Sequence, residues 1–530
     1  MTSTSPSPAV GSGYASFNAD SRLDPDRAEP VLVLDRVRPG KFISGTVLLG
    51  VTGSLLLTIM ATGAGAILVT DPLLSGGPLS WIRYGHGQEL ATVGLYLGAG
   101  MLIWAWIRLG RDVLAGTVTA HQVKVAAGVW LAPILFSPPL FSRDAYSYLG
   151  QGALALRGLD PYQVGPSKLP PGVIADNVHY VWQTTPAPYG PMFIFIAKTM
   201  NWLTGDNLVL GVIGMRLVLL SGLALLIFAL PRLADRLGGD PACALWLVVA
   251  NPITIVHLVG GPHNDLLMIG LVATGTLLVL SRRHAGGIAL VTVAMAVKAS
   301  AGIALPFLVL IWAAHLPGNR RSRLLRAGAC SVAVFLAVFS GITAISGVGL
   351  GWIPALDTPS LIVNWMSLPT AAGELSHVMV MPFVDVSERP FVLVARVLGM
   401  AVFLAILAWQ WWLARDDDGP QTVRRAAFAL LWGTLLAPAT LPWYFSWALV
   451  LGAVLTWPRR LLGWVVAGSI WMVLCTHPTG EAAFGSWPYQ LGLVTVSLIG
   501  GSALLRKDPL GLRRRTPAVD PAAPKPAVAM

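Results

Sequence analysis

The sequence predicts an all-α, polytopic integral membrane protein. Of its 530 residues 55% are hydrophobic and only 12% are charged, about half the charged share of a soluble domain. The apolar residues also gather into runs approaching the ~20 residues that a helix needs to cross a bilayer. A mean hydropathy of +0.68 leaves more apolar surface than a water-soluble fold could bury, which excludes a cytosolic enzyme. The 39 prolines and 56 glycines are scattered rather than periodic, which excludes a fibrous or low-complexity chain.

Residues 1–41, rich in Ser, Pro, Asp and Arg with no apolar period, read as a disordered cytoplasmic tail. No apolar stretch of the signal-peptide kind follows the first methionine. Apolar runs follow at 43–69, 90–109, 123–140, 207–230, 242–259, 264–280, 286–298, 300–315, 325–346, 391–413, 425–440, 442–457, 461–475 and 489–505. Residues 42–505 thus form one transmembrane domain of about fourteen helices. A second, basic tail occupies 506–530, with Lys507 and Arg513, Arg514 and Arg515 before a Pro- and Ala-rich end.

Basic residues orient the chain, because cytoplasmic loops keep them. The net charge of +11 therefore records topology, and no nucleic-acid partner is expected. Arg36, Arg38 and Lys41 put the N-terminus inside, and Arg108, Arg111 and Lys124 do the same for the second connection. Arg232 and Arg236 are inside only if 207–230 is the fourth crossing, so the apolar piece Met192–Leu203 lies on the outer surface as an interfacial helix. Arginines flank the run from Gly286 to His315 on both sides, which calls for two crossings hinged near Lys298. The same logic splits 425–457 at Pro442. Four sizeable connections then face outward, 70–89, 141–206, 347–390 and 476–488. The protein is expected in the plasma membrane with its chemistry on the extracytoplasmic side.

The loop 141–206 holds the most informative residues. Phe141, Ser142, Arg143, Asp144, Ala145, Tyr146, Ser147 and Tyr148 follow Pro138 and Pro139. A carboxylate just past a membrane helix, flanked by Arg143, Tyr146 and Tyr148, suits acid–base work, although the same residue types also anchor at headgroup level. Gly260 and Gly261 precede Pro262, His263, Asn264 and Asp265 at an outer helix junction. Asn264 and Asp265 fit either a ligand site or a helix cap. Arg216, Lys298 and Arg396 are cations within or beside apolar runs, costly unless functional, and three cations in the outer leaflet suit a lipid phosphate. Snorkelling is the competing account for Lys298 and Arg396. Most of the twenty tryptophans belong to aromatic belts; Trp182, Trp352, Trp365, Trp443, Trp447 and Trp487 fall in or near outward loops, where an indole can also stack on a sugar ring, and none is distinguished from the others.

Cys243, Cys330 and Cys475 are dispersed and odd in number, which argues against disulfides and a zinc site. Phosphate-cradling and dinucleotide fingerprints are absent. No metal ligand set is recognisable, so no metal site is expected.

The blocks SWIRYGHG (80–87), FSRDAYSYLGQGAL (141–154), GLDPYQVGP (158–166), TTPAPYGPMF (184–193), GGPHNDLLM (260–268), AVKASAGIALPFLV (296–309), GVGLGW (347–352) and LPWYFSW (441–447) resemble the actinobacterial polyprenyl-phosphate-mannose-dependent alpha-(1→6)-mannosyltransferases. The resemblance runs in order through almost all of 42–505 and is nearest the mannopyranosyltransferase A branch in SWIRYGHG and GVGLGW. It implies the GT-C fold of membrane glycosyltransferases, with large extracytoplasmic loops. It also implies a polyprenyl-phosphate-mannose donor and a lipid-anchored mannan acceptor, elongated as the backbone of lipomannan and lipoarabinomannan.

Asp144 stands where the family's catalytic base is expected. The donor phosphate then falls to basic and polar residues, for which Arg216, His263, Lys298 and Arg396 are candidates by position. A beta-linked donor and an alpha product imply one inverting displacement, and this chemistry requires no cofactor. Whether a divalent metal bridges donor and protein stays open. A lipid-linked sugar flippase or secondary transporter is the competing reading, but internal repeats are lacking and the ionisable residues lie toward one leaflet rather than the midplane.

Overall fold

The computed structural model describes residues 45–69, 76–78, 80–417, 419–481 and 483–506, all within one compact unit, Phe42–Met530. The tails expected at 1–41 and 506–530 lie outside the described residues, apart from Arg506. Every regular element among the described residues is a helix, in accord with the all-α expectation.

Helix occupies each of the fourteen apolar runs, yet few of these helices are long. Among the described residues six are long and apolar enough to span a bilayer: Gly45–Ala64, Gly85–Leu114, Leu208–Leu237, Arg320–Ser346, Arg389–Ala414 and Trp487–Leu505. A pair bent by 51°, Pro241–Val248 and Ile253–Gly260, makes a seventh span if counted as one. The expected count of about fourteen is therefore not reached by length. Local chain chemistry explains the difference. Asn251-Pro252 breaks one run into an α-helix and a wide π-turn helix, because proline cannot continue the preceding ladder. Pro133 falls in the last turn of Ala120–Ile134.

Two expected hinges are present. Lys298 is extended (φ −150°, ψ 123°) between His284–Val297 and the helical segment 299–314. The two arms return alongside one another, since His284 Nε2 lies 2.8 Å from His315 Nδ1 at their far ends. Near Pro442 the chain also turns back, setting the Phe428 and Trp457 rings 6.0 Å apart.

Lipid supplies no hydrophobic force between helices, so small residues that allow close approach matter. Gly222 and Gly270 meet backbone to backbone, joining Leu208–Leu237 to Asp265–Leu280, and a Cβ on either would collide with the other helix. Pro191–Thr204, the segment expected at the interface, packs on Asp144–Leu156 through Gly152, which touches the Ala197 backbone.

The molecule is polarised. One end collects arginines: Arg111 donates to the Ala503 and Arg506 carbonyls, Arg459 to Leu114 O at 3.3 Å, and Arg320 lies 3.9 Å from Asp416. The opposite end gathers the turns around 139–144, 177–190, 261–264, 298 and 440–444.

Candidate functional site

The turn after Pro138-Pro139 delivers the first functional group. Phe141 is fully buried with φ of 54°, a conformation that bulky residues avoid and that surrounding packing must enforce. Its N–H donates to Pro478 O at 3.2 Å, and its ring packs against Tyr96 and His257. The chain then reverses and Asp144 opens the helix Asp144–Leu156, where a carboxylate is favoured by the helix dipole. The Asp144 N–H donates to Ser142 Oγ at 3.1 Å.

The Asp144 side chain is 14% exposed, and its Oδ2 lies 3.5 Å from His263 Nδ1. Trp182 Nε1 donates to the other oxygen, Oδ1, at 3.2 Å. Burial raises the carboxyl pKa from 3.8 to about 6, against the opposing pull of Lys298 and of the Trp182 hydrogen bond. A base with that value is ionised at neutral pH and still basic enough to take a proton.

His263 lies flat on Trp443, centroids 3.5 Å apart and 18° between planes, and its Nδ1 is also 3.4 Å from Tyr148 Oη. Burial drives the imidazole well below its usual pKa, helped by His257 and Lys298, so the ring is neutral. Tyr148 packs edge-on against Tyr189 and Phe193, and burial raises both phenols far above their ordinary values.

Beside this group sits an ion pair. Lys298 Nζ is 2.9 Å from both oxygens of Asp265, and Trp447 Nε1 donates to Asp265 Oδ1 at 2.6 Å. The ammonium also lies 4.2 Å from the Tyr444 ring centroid and 5.3 Å from that of Trp447. Lys298 does not snorkel. The ammonium is held between that carboxylate and the two rings.

Asn264 occupies the N-cap position of Asp265–Leu280 but makes no capping bond. Its amide nitrogen and oxygen, like His263 Nε2, are buried without a partner among the described residues. Unmet buried groups of this kind cost about 1–3 kcal/mol each, so three at one junction mark a place where hydroxyl groups would be welcomed.

The remaining candidates go elsewhere. Arg143 donates to the Ile67 and Asn177 carbonyls at 3.1 and 3.3 Å, and Tyr146 Oη donates to Ala66 O at 2.6 Å; both brace the 66–69 strap. Arg216 is 2% exposed, and its guanidinium donates to the carbonyls of Leu135, Ser137, Pro138, Val259 and Gly260. Arg396 donates to the Ser360 and Ile362 carbonyls and to Thr370 Oγ1. These two cations tie backbone segments together and do not join the cluster around Asp144. No group of three His, Cys, Asp or Glu side chains that could hold a metal ion occurs among the described residues.

Sequence reasoning did not single out Trp182, Trp443, Trp447, Tyr189 or Tyr444. The available signal was position: each lies in or directly beside a block that the family resemblance rests on.

Comparison with known proteins identifies the family. A family model for the alpha-(1->6)-mannopyranosyltransferase N-terminal domain matches residues 47–314, and one for the MptB C-terminal domain matches residues 369–506. The chain is 41% identical to alpha-(1->6)-mannopyranosyltransferase A of Mycobacterium tuberculosis over 90% of its own length and 93% of that protein. It is 34% identical to alpha-(1->6)-mannopyranosyltransferase A of Corynebacterium glutamicum, over 80% and 91%. Alpha-(1->6)-mannopyranosyltransferase B of the latter organism is 29% identical, over 95% and 88%. No solved structure matches.

Proposed function

The chain belongs to the alpha-(1→6)-mannopyranosyltransferase family, and from that premise we propose a donor, a side of the membrane and a set of working residues. It is a membrane mannosyltransferase that forms alpha-(1→6) linkages by extending a mannan acceptor, which selects transfer over the flippase or transporter alternative. The donor is polyprenyl-phosphate-mannose and the location is the plasma membrane. Residues 42–505 act as one catalytic domain. The active site faces the extracytoplasmic side, a reading supported by the arginines clustered at the end remote from Asp144.

In the step itself Asp144 Oδ2 accepts the proton of the acceptor 6-hydroxyl while that oxygen forms a bond to the mannosyl anomeric carbon. The bond from that carbon to the phosphate oxygen breaks, and the phosphate leaves with the electron pair. One displacement converts a beta-linked donor into an alpha product. The Lys298 ammonium stabilises the charge that develops on the phosphate, and His263 and Asn264 offer their free polar atoms to sugar hydroxyls. Arg143, Tyr146, Arg216 and Arg396 hold the frame.

The observation that carries this reading is the Asp144 carboxylate, raised to a pKa of about 6 beside a neutral imidazole. The test is transfer of labelled mannose from synthetic polyprenyl-phosphate-mannose in detergent. Asp144→Asn should abolish transfer, and turnover at the wild-type rate would remove Asp144 from the mechanism.

A further inference from the structure

Three indoles touch the cluster, and they are not equivalent. Trp443 is 4% exposed beneath His263 and Trp447 is 5% exposed against Asp265, so neither offers a free ring face. Trp182 is only half-buried and meets the base directly.

Trp182 sits on the short helix Tyr180–Gln183, and its neighbours hold that turn in place. Thr185 Oγ1 donates to Val181 O at 2.6 Å, Gln183 Nε2 to Val178 O at 3.3 Å, and the Trp182 N–H to His179 O at 2.8 Å. Arg143, the residue before the base, donates to Asn177 O. The indole and the carboxylate therefore share one support.

The two carboxylate oxygens differ in consequence. Oδ1 accepts from the indole, whereas Oδ2 faces His263 Nδ1 at 3.5 Å, too long for a strong hydrogen bond. An indole is a donor only, so it orients the carboxylate without competing for the substrate proton. The indole itself is half-buried, and its ring face is apolar in the way that the C–H face of a pyranose is.

We propose that Trp182 is a positioning residue of the acceptor subsite: its N–H fixes the rotation of Asp144 so that Oδ2 is the proton-accepting atom, and its ring is the platform on which the acceptor mannose rests. The proposal deepens, and rests on, the reading of Asp144 as the base.

The test uses the purified full-length chain with synthetic polyprenyl-phosphate-mannose as donor and an octyl alpha-(1→6)-dimannoside as acceptor. Trp182→Ala should raise the acceptor KM about tenfold while the donor KM stays within about twofold. Trp182→Phe keeps a ring and loses the N–H. It should restore most of the acceptor affinity, yet move the acid limb of kcat/KM to higher pH, because the lost hydrogen bond had favoured the charged carboxylate. Three results overturn the proposal: equal rises in both KM values, a Phe variant that behaves like the Ala variant, or an acid limb that does not move. With an inactive Asp144→Asn these outcomes locate the failure at Trp182, whereas an active Asp144→Asn locates it in the base assignment.

Discussion

Lys298 Nζ lies 2.9 Å from each carboxylate oxygen of Asp265, across a separation of 33 residues. The pair joins the hinge between two helices to the first turn of a third, and both members are largely withdrawn from solvent, at 13% and 0% exposure. Removing one partner of such a pair leaves an uncompensated buried charge.

Lys298→Ala should therefore cost about 3–5 kcal/mol of stability, seen as a lower melting temperature in detergent. Adding Asp265→Asn removes the stranded charge and should recover part of that loss, while mannose transfer stays lost in both proteins. Recovery of transfer in the double variant would show that the ammonium does no work on the donor phosphate.

Asp144 illustrates a conflict between stability and activity. Its folded value of about 6 exceeds the ordinary 3.8, so the folded protein keeps a proton that the unfolded chain has released between those limits. Stability from this group is greatest below about pH 4 and declines as pH rises through about 6. Asp144→Asn should thus be more stable than wild type at pH 7.5 by roughly 1–3 kcal/mol, seen as a higher melting temperature, while being inactive. Activity runs the other way: kcat/KM of the wild type should fall about tenfold per pH unit below about pH 6. A profile flat to pH 4.5 would contradict this.

Arg216 separates a structural cation from a substrate-binding one. Its fork satisfies five carbonyls from two different segments, a task a single ammonium cannot perform. Arg216→Lys should lower stability by about 2–4 kcal/mol and leave the donor KM of the surviving protein unchanged. An increased donor KM at unchanged stability would return Arg216 to the phosphate.

Some of this was legible in the sequence for a physical reason. Arg282 and Arg283 on one side and Arg320, Arg321, Arg323 and Arg326 on the other demanded an even number of crossings, and the turn at Lys298 meets that demand. Asp144 stood out because an ionisable group next to an apolar run has few bland explanations. What the sequence concealed was the destination of each cation. A charge within an apolar stretch advertises a cost, but the groups that offset it for Arg216 and Arg396 are backbone carbonyls up to 81 residues away, and nothing in a sequence marks a carbonyl as free. Helix length was hidden similarly, since a proline or a lysine hinge shortens a helix without interrupting its apolar composition. The tryptophans were conspicuous but undifferentiated, and only packing separates the accessible Trp182 from the buried Trp443 and Trp447.

Gly190 closes the stretch that carries Trp182, and its N–H donates to Val297 O at 3.2 Å, one residue before Lys298. A side chain at Gly190 would strike the Ala296 backbone, so the two strands of chain lie flush. The arm above the base and the pivot bearing the ammonium are in this way riveted together. A shift of the Trp182 stretch therefore carries the Lys298 hinge with it, so the indole beside the base and the ammonium keep one fixed spacing.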